Sequence, residues 1–247
     1  MVPPGRGGGG MLADARALKH RLAELSEQRS QVVGVPQPAG RLIPVHVNPK
    51  KKQPIRRHKG GAWTDAMCDE FFTEEHFTEC RIGIILEYLM VLDFDAMCKY
   101  TEAAARFHEL RRAPSEQTSK GMHVYLWRTP AVEAAGITDS PLRDPSIADA
   151  KEARKRMSTD CKTRTANKTN GYYTGGLVVC APTAGYTWVK GCSIFEVEPA
   201  EPSPSLIAWL VKYTKRKASF TGKSTTPRVA PRATTAPIQP SLPPIIR

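Results

Sequence analysis

The chain has 247 residues, with 36 Lys and Arg against 24 Asp and Glu, a formal net charge of +12. That length accommodates one sizeable α/β domain with tails, and so basic a surface points to a polyanionic partner, nucleic acid before an anionic membrane. No apolar run is long enough to span a bilayer and residues 1–10 lack a signal-peptide core, so no membrane partner is expected and the expected setting is intracellular.

Residues 1–10, rich in Gly and Pro, are expected to be disordered. Residues 11–29 predict a helix, because Leu12, Leu18, Leu22 and Leu25 fall near one face. Packing on the domain is its expected job, ahead of docking a partner. A Gly/Pro/Gln linker runs to Gly40. Residues 41–47 predict a short strand, with Pro44 marking an edge or a bulge. Residues 50–63 are a basic run punctuated by Pro54, Ile55 and Trp63, which favours a structured loop able to grip phosphates. Thr64 is a helix N-cap candidate.

Residues 84–95 dominate the reading. The apolar run 89–92 predicts a buried strand that ends in Asp93-Phe94-Asp95. Side chains alternate along a strand, so both aspartates point one way and Phe94 the other. Adjacent carboxylates repel unless a cation sits between them, and a hard divalent metal is a natural partner. An isolated Asp-x-Asp is more often a pair of solvated surface acids, so the rest of the chain must decide.

Residues 96–112 predict a helix with Met97, Tyr100, Ala104, Phe107 and Leu110 facing inward. Residues 118–128 read as a turn feeding a strand, with His123, Tyr125 and Trp127 on one face. Ser119 and Gly121 shape that turn, where a phosphate could reach backbone amides and the imidazole. Residues 131–147 read as a loop, 148–157 as a short basic helix, and 158–164 as a strand with Asp160 and Lys162 on one face. Residues 175–183 predict a buried strand, with 186–189 as its hairpin partner, and 203–212 a final helix. The tail from residue 213 has no acidic residue and is expected to be disordered. Its Gly222-Lys223-Ser224 lacks the first glycine of a phosphate-binding loop and is set aside. The six cysteines form no Cys-x-x-Cys pair and read as reduced packing thiols; a zinc site from Cys68, His76 and Cys80 fits no common spacing.

In this order the pieces resemble the primase–polymerase (Prim-Pol) catalytic domain of the archaeo-eukaryotic primase superfamily. The resemblance rests on Leu42-Ile43-Pro44-Val45 with the 50–63 loop, and on Ile82-Gly83-Ile84-Ile85 with Asp93-Phe94-Asp95. It continues through Thr118-Ser119-Lys120-Gly121-Met122-His123, Asp160-Cys161-Lys162, and residues 175–183 with Trp188. It covers roughly residues 42–210 and implies an α/β (α+β) core with a sheet like that of RNA-recognition motifs and an adjoining α/β unit. The implied organisation is a disordered 1–10, helix and linker over 11–40, a catalytic domain over 41–212 and a basic Pro/Thr-rich tail over 213–247. Lys120 stands where the family has a small residue, Leu177 replaces an aromatic, and the segment after Asp160 is long, which leaves Asp144, Asp149 and Glu152 as alternative third acids.

The resemblance implies template-dependent nucleotidyl transfer from an NTP or dNTP to a 3′-hydroxyl on a single-stranded DNA template. Asp93, Asp95 and Asp160 would hold two Mg²⁺ or Mn²⁺ ions. Ser119 and His123 would bind the triphosphate, with Lys120 and Lys162 as further nucleotide contacts. Lys51, Lys52, Arg56 and Arg57 would hold template or nucleotide phosphates, while Trp63 and Tyr125 stack on a base or pack. Many relatives carry a helicase module; the resemblance leaves open a free-standing primase, with a replicative helicase on a separate chain as partner, and a fragment of a longer protein. Two alternatives stand beside this reading. One is a noncatalytic basic nucleic-acid-binding protein; the other is a glycosyltransferase that grips a nucleotide sugar through Asp93 and Asp95.

Overall fold

The computed structural model describes residues 9–34, 41–46, 66, 80–163, 168–169, 172–173 and 176–214. Helix α1 (Gly9–Val33) precedes strands β1 (Arg41–His46), β2 (Cys80–Ile85) and β3 (Leu89–Phe94). Helix α2 (Met97–Arg106) and a 3₁₀ turn (His108–Arg111) lead to β4 (Ser115–Gln117) and β5 (Met122–Trp127). Then follow α3 (Pro130–Ala134), β6 (Ser140–Pro141), α4 (Ala150–Met157), β7 (Thr159–Thr163), β8 (Lys168–Thr169) and β9 (Tyr172–Tyr173). Strands β10 (Leu177–Val179) and β11 (Thr187–Trp188) and helix α5 (Pro204–Thr214) complete the described chain. The fold is mixed α and β, with antiparallel ladders throughout.

A six-stranded sheet runs β11-β4-β5-β3-β7-β6, and a three-stranded sheet runs β1-β2-β10. Strand β3 lies inside the large sheet and is apolar on both sides because both of its faces are covered. Leu89 and Val91 join a core with Ile82, Ile84, Tyr125 and Val178, while Met90, Leu92 and Phe94 join a second core with Phe107, Leu110, Leu206 and Leu210. Phe94 therefore lies in the opposite layer from Asp93, as strand alternation requires.

The first core is closed by α1. Leu18, Leu22 and Leu25 recur at helical spacing and have no exposed surface. Each contributes roughly 2 kcal/mol relative to leaving it in water. The Tyr88 hydroxyl donates to the Leu22 carbonyl, and Arg29 pairs with Glu201 at 2.6 Å while lying over the Trp127 ring. Pro44 sits in β1, an edge strand, where its missing N–H costs no ladder bond.

Several local expectations are corrected. Strand β11 does not form a hairpin with β10: Thr187 and Trp188 pair with Gln117 and Glu116, whereas β10 pairs with β2. The Thr183 hydroxyl accepts from the Ile82 N–H at 2.9 Å, fastening the intervening turn to β2. The segment after Thr129 is not a plain loop. Thr129 caps a short helix and Pro130 occupies its first turn, where a missing N–H is harmless. Helix α2 stops at Arg106, and Met97 at its start is 40% exposed rather than inward. Lys50, Thr64 and the Cys68/His76 pair lie outside the described residues. Of the cysteines described in full, Cys98, Cys161, Cys180 and Cys192 are free, and Cys161 and Cys180 are buried packing thiols.

Candidate active site

The alternation of β3 puts Asp93 on the face that Val91 shares, near the strand's end. Strand register then builds a row across the sheet. Asp93 stands opposite His123 on β5 and opposite Asp160 on β7; His123 in turn faces Glu116 on β4, and Glu116 faces Trp188 on β11. Slipping any of these strands by one residue would send its member of the row to the other face.

One contact locks the register at this end. A Cβ built on Gly121 would lie 1.8 Å from the Phe94 carbonyl oxygen and 2.9 Å from the Ala96 nitrogen. Only glycine lets β5 begin that close to the end of β3, which brings His123 beside Asp93.

His123 is buried between two acids. Its Nδ1–H donates to Glu116 Oε1 at 2.7 Å, and its Nε2 lies 3.2 Å from Asp93 Oδ1. Burial disfavours the imidazolium, but the hydrogen bonds and charges of Asp93 and Glu116 outweigh it and lift the pKa from 6.5 to about 9. Glu116 has no exposed surface and is fully engaged. Its Oε1 also accepts from the Tyr125 hydroxyl at 2.6 Å, and its Oε2 accepts from the Ala181 N–H at 2.8 Å. Such a carboxylate is tolerable in the interior because its partners replace water. Burial and then the Glu116 charge push the Tyr125 phenol well up. The Tyr186 ring lies 5.7 Å from the imidazole and borders the row.

On the other side of Asp93, Asp160 is buried with cations on it. Lys162 Nζ lies 2.9 Å from its Oδ2, and Arg154 reaches the same oxygen at 3.3 Å from the mostly exposed helix α4. Lys162 belongs to the same face of β7, opposite Val91. Asp95 follows just past β3, with its N–H donating to the Ser158 carbonyl at 2.8 Å. The residue is exposed overall, yet its carboxyl is partly shielded. That desolvation, then the charges of Asp93 and Asp160, raise its pKa, while Arg154 and Lys162 pull it back.

The expected residues are therefore brought together unevenly. Asp93, Asp160 and His123 share one row, with Lys162 and Asp95 adjoining it. Ser119 and Lys120 sit in the exposed turn before β5. The Lys120 and Gly121 amides already donate to the Thr118 hydroxyl oxygen, at 3.3 and 3.0 Å, so a phosphate would have to displace that oxygen. Among the alternative third acids, Asp149 caps α4 and Asp144 is taken by Ser146 and Arg156, while Glu152 is exposed. Lys51, Lys52, Arg56, Arg57 and Trp63 lie outside the described residues. Glu116, Arg154 and Tyr186 are site residues that sequence reading missed. The basic character of α4 was a signal for Arg154, but the polar Ser-Glu-Gln of β4 offered none for Glu116.

Three neighbouring carboxylates, of which Asp95 has its pKa raised first by burial and then by the charges of Asp93 and Asp160, are oxygen donors suited to a hard divalent cation. Among the described residues, no three acidic, His or Cys side chains yet converge closely enough to hold an ion. As arranged, Asp93 is engaged by His123, and Asp160 by Lys162 and Arg154. A cation entering here must displace those contacts. No protein-family model matches the chain, and no curated protein matches it.

Proposed function

We propose that this chain is a metal-dependent nucleotidyltransferase of the primase–polymerase type, extending a 3′-hydroxyl on a single-stranded DNA template. The observation that carries the reading is the row itself: two carboxylates directly opposed on adjacent strands, flanked by an imidazolium and a lysine. Sheets seldom set like charges directly opposite each other without a use for them.

Asp93, Asp95 and Asp160 would hold Mg²⁺ or Mn²⁺, which neutralises phosphate charge and acidifies a bound hydroxyl. The chain's own residues supply alignment. His123, held charged and in one orientation by Glu116, presents a cation beside Asp93 to the oxygens of an incoming NTP or dNTP. Lys162, which now pairs with Asp160, would be free to contact phosphate if Asp160 held the cation. Tyr186 walls the row beside the imidazole. Phosphoryl transfer asks little covalent chemistry of a protein, so positioning and charge are the contribution required.

One observation favours a second reading. Asp160 is already compensated by Lys162 and Arg154, as in a structural charge network of a noncatalytic nucleic-acid-binding protein. Template dependence separates the readings. Incubation with a primed single-stranded template, Mn²⁺ and one nucleotide at a time is expected to give extension only with the complementary nucleotide. Binding without extension favours the noncatalytic reading, and turnover of a nucleotide sugar without template favours a glycosyltransferase.

A further inference from the structure

The reverse side of the same strands carries a separate groove. Phe94 and Thr159, the residues next to Asp93 and Asp160, belong to the opposite face and line a cavity of about 300 Å³ between α2, α4 and α5. A second cavity of about 290 Å³ adjoins it, with Arg106, Trp209 and Tyr213 in both linings.

Helix α5 explains the lining. Leu206 and Leu210 are buried in the core, while Ser205, Ala208, Trp209, Lys212 and Tyr213 recur at helical spacing on the adjacent stripe and border the second cavity. Trp209 and Tyr213 are half-buried, with ring centroids 5.3 Å apart. Cations border these rings. Lys212 Nζ lies 5.1 Å from the Tyr213 ring, and the Arg106 guanidinium lies 5.0 Å over Phe107, itself 5.5 Å from Trp209. Among the described residues no salt bridge involves Arg106 or Lys212, although the Lys212 charge is felt by Asp144; Lys99 and Arg156, also on the cavity wall, pair directly with Glu102 and Asp144. The sequence that follows α5 continues with Lys215-Arg216-Lys217 and holds no acidic residue through Arg247.

We infer that this groove is a second binding site for single-stranded nucleic acid, separated from the ionisable row by the thickness of the sheet. Aromatic faces interleaved with unpaired cations suit stacked bases and a phosphate backbone, without sequence preference. An apolar peptide would leave Arg106 without a salt bridge and Lys212 with only the more distant Asp144, so charge complementarity selects the polyanion. The inference does not depend on catalysis by Asp93.

The test uses the full chain and a 5-iodouracil-substituted deoxyoligonucleotide without metal. Photocrosslinks mapped by mass spectrometry are expected at Trp209 or Tyr213. The exposed pair Arg106→Glu/Lys212→Glu is expected to weaken oligonucleotide binding about tenfold and increase less steeply with falling salt than wild type. Crosslinks confined to other residues, with affinity unchanged in the double variant, would overturn the inference. Heparin binding equally well with no ring crosslinks to the oligonucleotide would overturn it too, by reducing the groove to a charge patch.

Discussion

Asp93 and Asp160 occupy directly opposed positions on adjacent antiparallel strands, with a cation provided on each outer side: His123 for Asp93, and Lys162 with Arg154 for Asp160. Like charges so placed destabilise a sheet unless something binds them. Divalent metal is therefore expected to stabilise the wild-type protein in thermal denaturation. Saturation at a hundredfold over Kd corresponds to about 2.7 kcal/mol. Asp93→Asn and Asp160→Asn should each remove most of the shift. A shift retained in both would place the ion elsewhere.

Glu116→Gln tests the buried support of His123. The amide keeps the shape but removes the charge that offsets imidazole burial. Loss of a charged hydrogen-bond partner in the interior is expected to cost about 1–3 kcal/mol in urea unfolding. NMR titration of the imidazole should show the His123 pKa falling from its raised value. An unchanged titration would mean that Asp93 alone holds the proton.

The same imidazole predicts a pH dependence of stability in the metal-free protein. Its folded pKa is raised from 6.5 to about 9, so its contribution is fully present below 6.5 and fades as pH rises towards 9. Unfolding free energy should decline between pH 6.5 and 9 by on the order of 3 kcal/mol. His123→Gln should flatten that decline. An equal slope in the variant would assign it to other groups.

Gly121→Ala should be among the most damaging small substitutions in the chain. The added methyl meets the Phe94 carbonyl at 1.8 Å, so β5 must withdraw from the end of β3. A loss of about 2 kcal/mol or more is expected from overpacking against backbone. A melting temperature equal to wild type would mean that the close approach of β5 to β3 is not required.

Much of this was legible from periodicity. The run ending in Asp93-Phe94-Asp95 announced a buried strand, and alternation alone assigned Asp93 and Phe94 to opposite layers. Leu18, Leu22 and Leu25 announced the buried face of α1. Asp160 and Lys162 announced one face of β7. Glu116 was hidden because a three-residue polar strand has no period to read; its burial rests on donors that no pattern announces, His123 and Tyr125 on the next strand and the Ala181 N–H, 65 residues further on. The partner of β11 was misread because the nearest strand is the default neighbour, and a turn tied to Ile82 redirects the chain to β4. Residues 131–147 read as a loop, although Thr129 just before them is a readable helix cap with Pro130 in the first turn.

The most direct measurement is primer synthesis and extension on single-stranded DNA with Mg²⁺ or Mn²⁺, with NTPs or dNTPs, for wild type and the Asp93→Ala/Asp95→Ala double variant. Metal-dependent products are expected from wild type and at least a thousandfold less from the variant, roughly the scale of losing electrostatic transition-state stabilisation, while single-stranded DNA binding survives. Equal product yields from both proteins would contradict that expectation.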